Sequence, residues 1–307
     1  MRKALLWAST NAWLRERAMR TGFVRRSVSR FMPGEHVDDA LAAARELDKA
    51  SLTAIFTRLG ENITHIGEAD EVARHYHDVL EHIDQSGLDI QISIKPTQLG
   101  FDQDPEVCFR HCLEILTRCE EKGSFFWLDM ESTPYVDGTI ALFKRLRERS
   151  DKVGIAIQTY LYRSEKDVEG LIPLGPAIRL VKGAYLEPPS LAFPKKADVD
   201  ENFYKLAARL LDDDNTRPGA LLHIGTHDIP LQDRLIEVIR KRQVATDRYE
   251  VAMLYGIQPA RQRELAAGGV PTRCLVSYGE YWFPWYMRRL AERPANIGFV
   301  IRNMFRA

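Results

Sequence analysis

The chain contains 307 residues, 45% of them hydrophobic and 28% charged, and its 43 basic side chains balance 43 acidic ones, so the formal charge is zero. That is a globular composition, long enough to bury about three quarters of the unfolded surface and to stand without disulfide or metal staples. Four cysteines with no CxxC pair argue against a disulfide scaffold or a zinc ribbon, and no apolar run reaches the roughly 18 residues that span a bilayer.

Residues 1–34 hold eight basic groups (Arg2, Lys3, Arg15, Arg17, Arg20, Arg25, Arg26, Arg30) and one acid, Glu16. Such an arm could touch an anionic membrane surface; covering the base of a domain is the plainer expectation. Pro33-Gly34 signals a turn, and HVDDALAAARELDKA after it has an Ala/Leu face suited to packing against a barrel. Residues 1–51 are therefore expected as an N-terminal helical arm and 52–307 as one catalytic domain.

From residue 52 onward, eight apolar or β-rich runs succeed one another: LTAIFTRLG (52–60), DIQISIKP (89–96), SFFWLDM (124–130), VGIAIQTYL (153–161), AIRLVKGAY (177–185), ALLHIGTHD (220–228), RYEVAMLYG (248–256) and TRCLVSYG (272–279). Helical periodicity fills the gaps, as in 71–83, in 105–123 with Cys108, Cys112 and Cys119 on one buried face, and in 137–150 with acid early and base late. Eight strand–helix repeats predict a (β/α)8 TIM-type barrel. An open doubly wound sheet is disfavoured, because no GxGxxG or GxxxxGK[ST] comes after any run. The proline-rich segment 186–197 is expected as a loop over the active face.

In such a barrel, chemistry sits at the C-terminal strand ends. The uncommon residues lie there: Lys95, Asp129, Gln158, Arg179 with Lys182, His227 and the loop after Tyr278. Gly183 and Ala184 leave space for something flat to approach the backbone. Beyond the last run, Arg288 and Arg289 share adjoining helical faces with Glu292 behind six aromatic residues. Two guanidinium forks on one helical turn suit a carboxylate clamp; the alternative is an exposed ion-pair cluster.

The motifs ISIKPTQLG (92–100), LDMES (128–132), IQTYLYRSEKD (157–167), RLVKGAY (179–185), THD (226–228), MLYG (253–256) and WFPWYMRRLAERP (282–294) make the chain resemble the proline dehydrogenase family from about residue 35 to the end. The resemblance implies FAD and a last helix over the active-site face. It implies that Arg288 and Arg289 hold the substrate carboxylate, that Lys95 and Asp129 line the pocket, and that Tyr185 packs beside it. Gln158, Arg179, Lys182, Gly183, Ala184, Thr226 and His227 match positions around the flavin, with Arg179 near N5, and Glu292 matches the acid supporting the clamp. The implied reaction is oxidation of L-proline to Δ1-pyrroline-5-carboxylate by hydride transfer to flavin, with electrons passing to a membrane quinone. A separate pyrroline-5-carboxylate dehydrogenase is the implied partner, and no nucleic acid is expected. Reduced cysteines point to a cytoplasmic location, with possible peripheral contact at the inner membrane.

Three positions depart from the family pattern. Leu275 and Trp285 stand where tyrosines are usual, and Ala252 where glutamine is common. Pocket shape contributes about 1 to 3 kcal/mol to selectivity, so another cyclic imino acid such as hydroxyproline or pipecolate is the alternative substrate. From a different class, Lys182 or Lys95 could form a Schiff base in a lyase.

Overall fold

In the computed structural model, which describes residues 28–60, 63–213, 215 and 217–283, the eight runs become eight parallel strands. They are β1 (Thr53–Arg58), β2 (Ile90–Ile94), β3 (Phe126–Leu128), β4 (Val153–Gln158), β5 (Ala177–Val181), β6 (Leu221–Gly225), β7 (Tyr249–Leu254) and β8 (Thr272–Tyr278). Each pairs with its sequence neighbour and β8 returns to β1, so the sheet is a closed barrel of the (β/α)8 type. The strands stop short of the runs that announce them. Pro96 has no N–H for the ladder, and Gly183 turns the chain away at φ 120°.

The helices are α1 (Val37–Asp48), α2 (Ile66–Ser86), α3 (Pro105–Glu121), α4 (Val136–Arg147), α5 (Ser164–Leu171), α6 (Lys196–Leu210), α7 (Ile229–Lys241) and α8 (Pro259–Ala267). Local chemistry explains their starts. Asp104 caps α3 by accepting from the Glu106 and Val107 amides at 2.9 and 3.2 Å, with Pro105 in the first turn. In α4, Asp137 lies in the first turn and Lys144, Arg145 and Arg147 in the last, as the helix dipole favours. Cys108, Cys112 and Cys119 form a fully buried stripe on α3, and they and Cys274 are free thiols. Among the described residues, no helix is long and apolar enough to cross a membrane.

Helix α1 packs against both β1 and β8 through Ala40, Leu41, Ala44 and Leu47. That is where a helix after the eighth strand would close the shell. The described residues just before α1 consequently lie at the mouth. The backbone of Arg30 and Phe31 lies against Gly256, just past β7, and Trp282 Nε1 donates to Glu35 at 3.1 Å. The described end of the basic arm thus sits on the C-terminal rim, correcting its expected place under the base: α1 runs antiparallel to β1, so its N-terminus points to the mouth. The rest of the arm and the expected last helix lie outside the described residues. Segment 186–197 is a loop up to the start of α6, as expected, tied down by a bridge between Leu161 and Ala192.

Alternation along the strands sorts the side chains into two sets. Phe56, Ile92, Leu128, Ile155, Ile178, Ile224, Val251 and Val276 face the helices in one continuous apolar core. The inward set is largely polar: Gln91, Ser93, Trp127, Arg179, His223, Glu250 and Arg273 are all buried or nearly so. Trp127 fits because its neighbour on β4 is Gly154, where a Cβ would lie 2.4 Å from the indole.

Candidate active site

At the mouth, Arg179 on β5 reaches across the barrel to β2 and the end of β3. One of its terminal nitrogens donates to Ser93 Oγ at 2.7 Å and to Asp129 Oδ1 at 2.6 Å, and Ser93 also donates to Asp129 at 2.9 Å. Lys95 Nζ stands 3.9 Å from the other carboxylate oxygen, so Asp129 is shared between two cations. The Asp129 amide donates to Ile94 O at 2.7 Å, which locks the loop that carries it. Arg179 is 4% exposed, and burial pushes its pKa down against the pull of Asp129. Its other terminal nitrogen, Nη1, is buried and has no hydrogen-bond partner among the described residues.

Gln158, at the end of β4, is buried; its amide nitrogen donates to Glu131 O at 2.8 Å and its oxygen accepts from the Ala184 amide at 3.4 Å. Glu131 is itself buried and bound by the Thr97 amide and hydroxyl at 3.2 and 2.8 Å. The space that Gly183 leaves is taken by the Tyr160 ring: a Cβ would sit 2.3 Å from it, so the glycine serves the packing of this chain itself. Lys182 lies past the end of β5 and is bound by Asp200 of α6 and, at 2.8 Å, by Asp228 at the start of α7. Burial alone would raise the Asp228 pKa, but Lys182 and Lys196 outweigh it and hold it at about 2. Lys182 is therefore engaged with the helical shell and is not gathered with Arg179 and Asp129.

Thr226 and His227 lie just past β6. The Thr226 hydroxyl accepts from the Asp228 amide, and His227 Nε2 accepts from the Leu254 amide at 2.9 Å, joining the ends of β6 and β7. Tyr185 is half-buried beyond β5. Leu275 is half-buried on the inward side of β8, in register with Ile55 and Leu254, and Ala252 lies inward one step lower on β7. Trp285, Arg288, Arg289 and Glu292 lie outside the described residues.

Below the mouth, the barrel holds a second charged layer. Arg273 makes paired hydrogen bonds to Asp89 (3.0 and 3.1 Å) and Glu250 (2.6 and 2.9 Å), and His223 Nε2 lies 2.9 Å from Glu250. Burial opposes the charge on Glu250, but Arg273 and His223 outweigh it and keep its pKa well below the carboxylate range. Burial pushes His223 down to about 4, against Glu250.

Comparison with known proteins agrees with this architecture. A family model described as proline dehydrogenase matches residues 40–302. The chain belongs to the proline dehydrogenase family. It is 33% identical over 306 residues to proline dehydrogenase 1 of Bacillus subtilis subsp. natto, covering 100% of this chain and 99% of that one. With a proline dehydrogenase of Deinococcus radiodurans it shares 34% identity over 282 residues, covering 90% and 89%. The crystal structure of proline utilization A from Bdellovibrio bacteriovorus, inactivated by N-propargylglycine, superimposes with a TM-score of 0.80 at 20% identity over 94% of this chain. This chain spans 38% of that longer protein, and the likeness is one of fold.

Within this proline dehydrogenase family member, the expected Lys95, Asp129 and Arg179 come together in one cluster, and Gln158 and Ala184 meet at its edge. Sequence reasoning missed Ser93, Trp127 and Glu131. A signal for them existed. Ser93 lies two residues before Lys95, Trp127 two before Asp129 and Glu131 two after it, so the two-residue alternation of β2 and β3, carried one step past their ends, points at all three.

Proposed function

We propose that this chain oxidises L-proline to Δ1-pyrroline-5-carboxylate at the C-terminal mouth of the barrel, with FAD as cofactor and a membrane quinone as final acceptor. The observation that carries the reading is Arg179, a buried guanidinium with a donor nitrogen unpartnered among the described residues, beside Asp129 and Lys95. A flavin suits it: a planar acceptor-bearing ring would satisfy that nitrogen, and Ala252, Leu254 and Leu275 offer an apolar inward wall. Gln158, Arg179, Ala184, Thr226 and His227 are the proposed holders of FAD, with Lys182 and Gly183 shaping the loop that carries Ala184, and Glu292 acting behind the arginine clamp. Bound there, FAD supplies the hydride acceptor that no side chain can provide.

The chain's own residues bind and orient the substrate. Arg288 and Arg289 are proposed to grip the carboxylate, which fixes one end of the ring and turns the C–H beside nitrogen inward, an orientation effect. Lys95 and Asp129 line the polar side, with Tyr185, Leu275 and Trp285 shaping the rest. Asp129 holds Arg179, whose positive charge favours electron gain at the mouth. Leucine at 275 gives the wall a smooth apolar surface without a hydroxyl, which favours an unhydroxylated ring.

The proposed setting is cytoplasmic with peripheral membrane contact, and a separate pyrroline-5-carboxylate dehydrogenase would take the product. The test is anaerobic addition of L-proline to FAD-reconstituted protein. Bleaching of the flavin band, with kcat/KM for proline above that for 4-hydroxyproline and pipecolate, supports the reading. Protein that stays colourless after reconstitution refutes the cofactor, and a preference for another ring refutes the substrate.

A further inference from the structure

Arg179 makes both of its mouth hydrogen bonds from one nitrogen, Nη2, to Ser93 and Asp129. A guanidinium held by a single corner can still pivot about it. Trp127 lies against that pivot: Arg179 Cζ is 5.1 Å from the indole centroid, within the range where a cation is attracted to the ring face. The indole is itself immobile. It is fully buried, its Nε1 donates to Gln91 at 2.6 Å, the His223 ring lies 4.1 Å away and tilted by 31°, and Gly154 clears its place in the wall. His223 adds no second cation to the ring at neutral pH, since burial pushes its pKa to about 4.

We propose that Trp127 is a positioning residue for Arg179, its ring fixing the tilt of the guanidinium and hence where the remaining N–H groups point. The consequence for catalysis rests on the flavin reading above. A correctly tilted Arg179 favours negative charge on the reduced cofactor, so loosening it makes the bound flavin harder to reduce. An aliphatic side chain at 127 would fill volume but offer the cation no ring face, whereas phenylalanine keeps part of it.

Two readouts separate the claims. In cofactor-free, 15N-labelled protein, the Arg179 side-chain N–H signals are identified by their loss in Arg179→Lys and are expected to be ring-current shifted. Trp127→Leu returns them to ordinary arginine positions, Trp127→Phe retains part of the shift, and Phe125→Leu leaves them in place, because Phe125 packs on Trp127 at 5.9 Å without being an Arg179 contact. In the FAD-loaded enzyme, Trp127→Leu lowers the two-electron flavin potential by about 30 mV, a tenfold change in equilibrium, and lowers kcat with KM for proline held. Trp127→Phe recovers most of both, and carries the comparison alone if the leucine variant does not fold. Unmoved Arg179 signals, or equal movement in Phe125→Leu, overturn the positioning role. Moved signals with an unchanged potential overturn its catalytic consequence. Wild-type protein that takes up no flavin overturns the functional reading, while the resonance arm still decides the role of Trp127.

Discussion

Replacing Asp129 with alanine takes a carboxylate from two cations at once, since Arg179 donates to it at 2.6 Å and Lys95 stands 3.9 Å away. Removing one member of a buried pair costs about 3–5 kcal/mol, because the remaining charge is left uncompensated. Two features place Asp129→Ala at the low end, about 3 kcal/mol. The Asp129 side chain is 20% exposed, so water reaches one side of the hole, and Ser93 Oγ still accepts from Arg179. Asp129→Asn keeps an oxygen acceptor and loses only the charge, so about 1–2 kcal/mol is expected. The double variant Asp129→Ala/Arg179→Met leaves no orphaned guanidinium and is expected to be more stable than Asp129→Ala alone. Urea unfolding of cofactor-free protein, monitored by far-UV circular dichroism with the m-value checked for constancy, measures all three. The matching fall in Tm for Asp129→Ala is about 5 °C, because the unfolding entropy grows with chain length at about 2.1 cal/mol/K per residue. A loss below 1 kcal/mol, or a double variant no more stable than the single one, would refute the view that this carboxylate balances a buried charge.

Two further outcomes are expected. His223 and His75 titrate at about 4 in the fold, chiefly through burial, against 6.5 in the unfolded chain. The unfolded chain therefore binds more protons between these values, so stability is full above pH 6.5 and is lost as pH falls towards 4, with on the order of 3 kcal/mol from His223. Thermal unfolding at pH 7.5 and pH 5 checks this, and equal midpoints would contradict it. Secondly, the Tyr76 hydroxyl plugs the seam where β1 and β2 part beyond the Phe56–Ile92 pair, accepting from the Arg58 amide at 3.1 Å and donating to Ser93 O at 3.4 Å. Tyr76→Phe leaves both groups unpaired and should cost about 1–3 kcal/mol. Hydrogen exchange at the Arg58 amide should quicken, and unchanged exchange there would show that the hydroxyl is dispensable.

The eight strands and the helices between them were legible because each rests on short-range physics. An apolar run of five or six residues, a proline that cannot donate, and an aspartate ahead of a helix act within one turn of the chain. Asp104 before Pro105 announces α3 without knowledge of the rest. Lys95, Asp129 and Arg179 could be singled out for a related reason: a core strand seldom ends in an ionisable group unless something is done with it.

Their grouping was another matter. Ser93 and Arg179 come from two strands and Asp129 from the loop after a third, and nothing near any one of them in sequence says that a single guanidinium nitrogen reaches both others. Lys182 is three residues from Arg179, yet it turns to Asp200 and Asp228 in the helical layer. The emptiness of Gly154 acquires its meaning only when Trp127 turns in from the next strand, and α1 becomes part of the shell only once β8 has come round to meet β1. Local patterning set which segments are strand or helix and which residues are chemically conspicuous, since those depend on neighbours along the chain. Closure of the barrel decided which of them meet, because it joins strands far apart in sequence across one interior whose polar groups must find partners there.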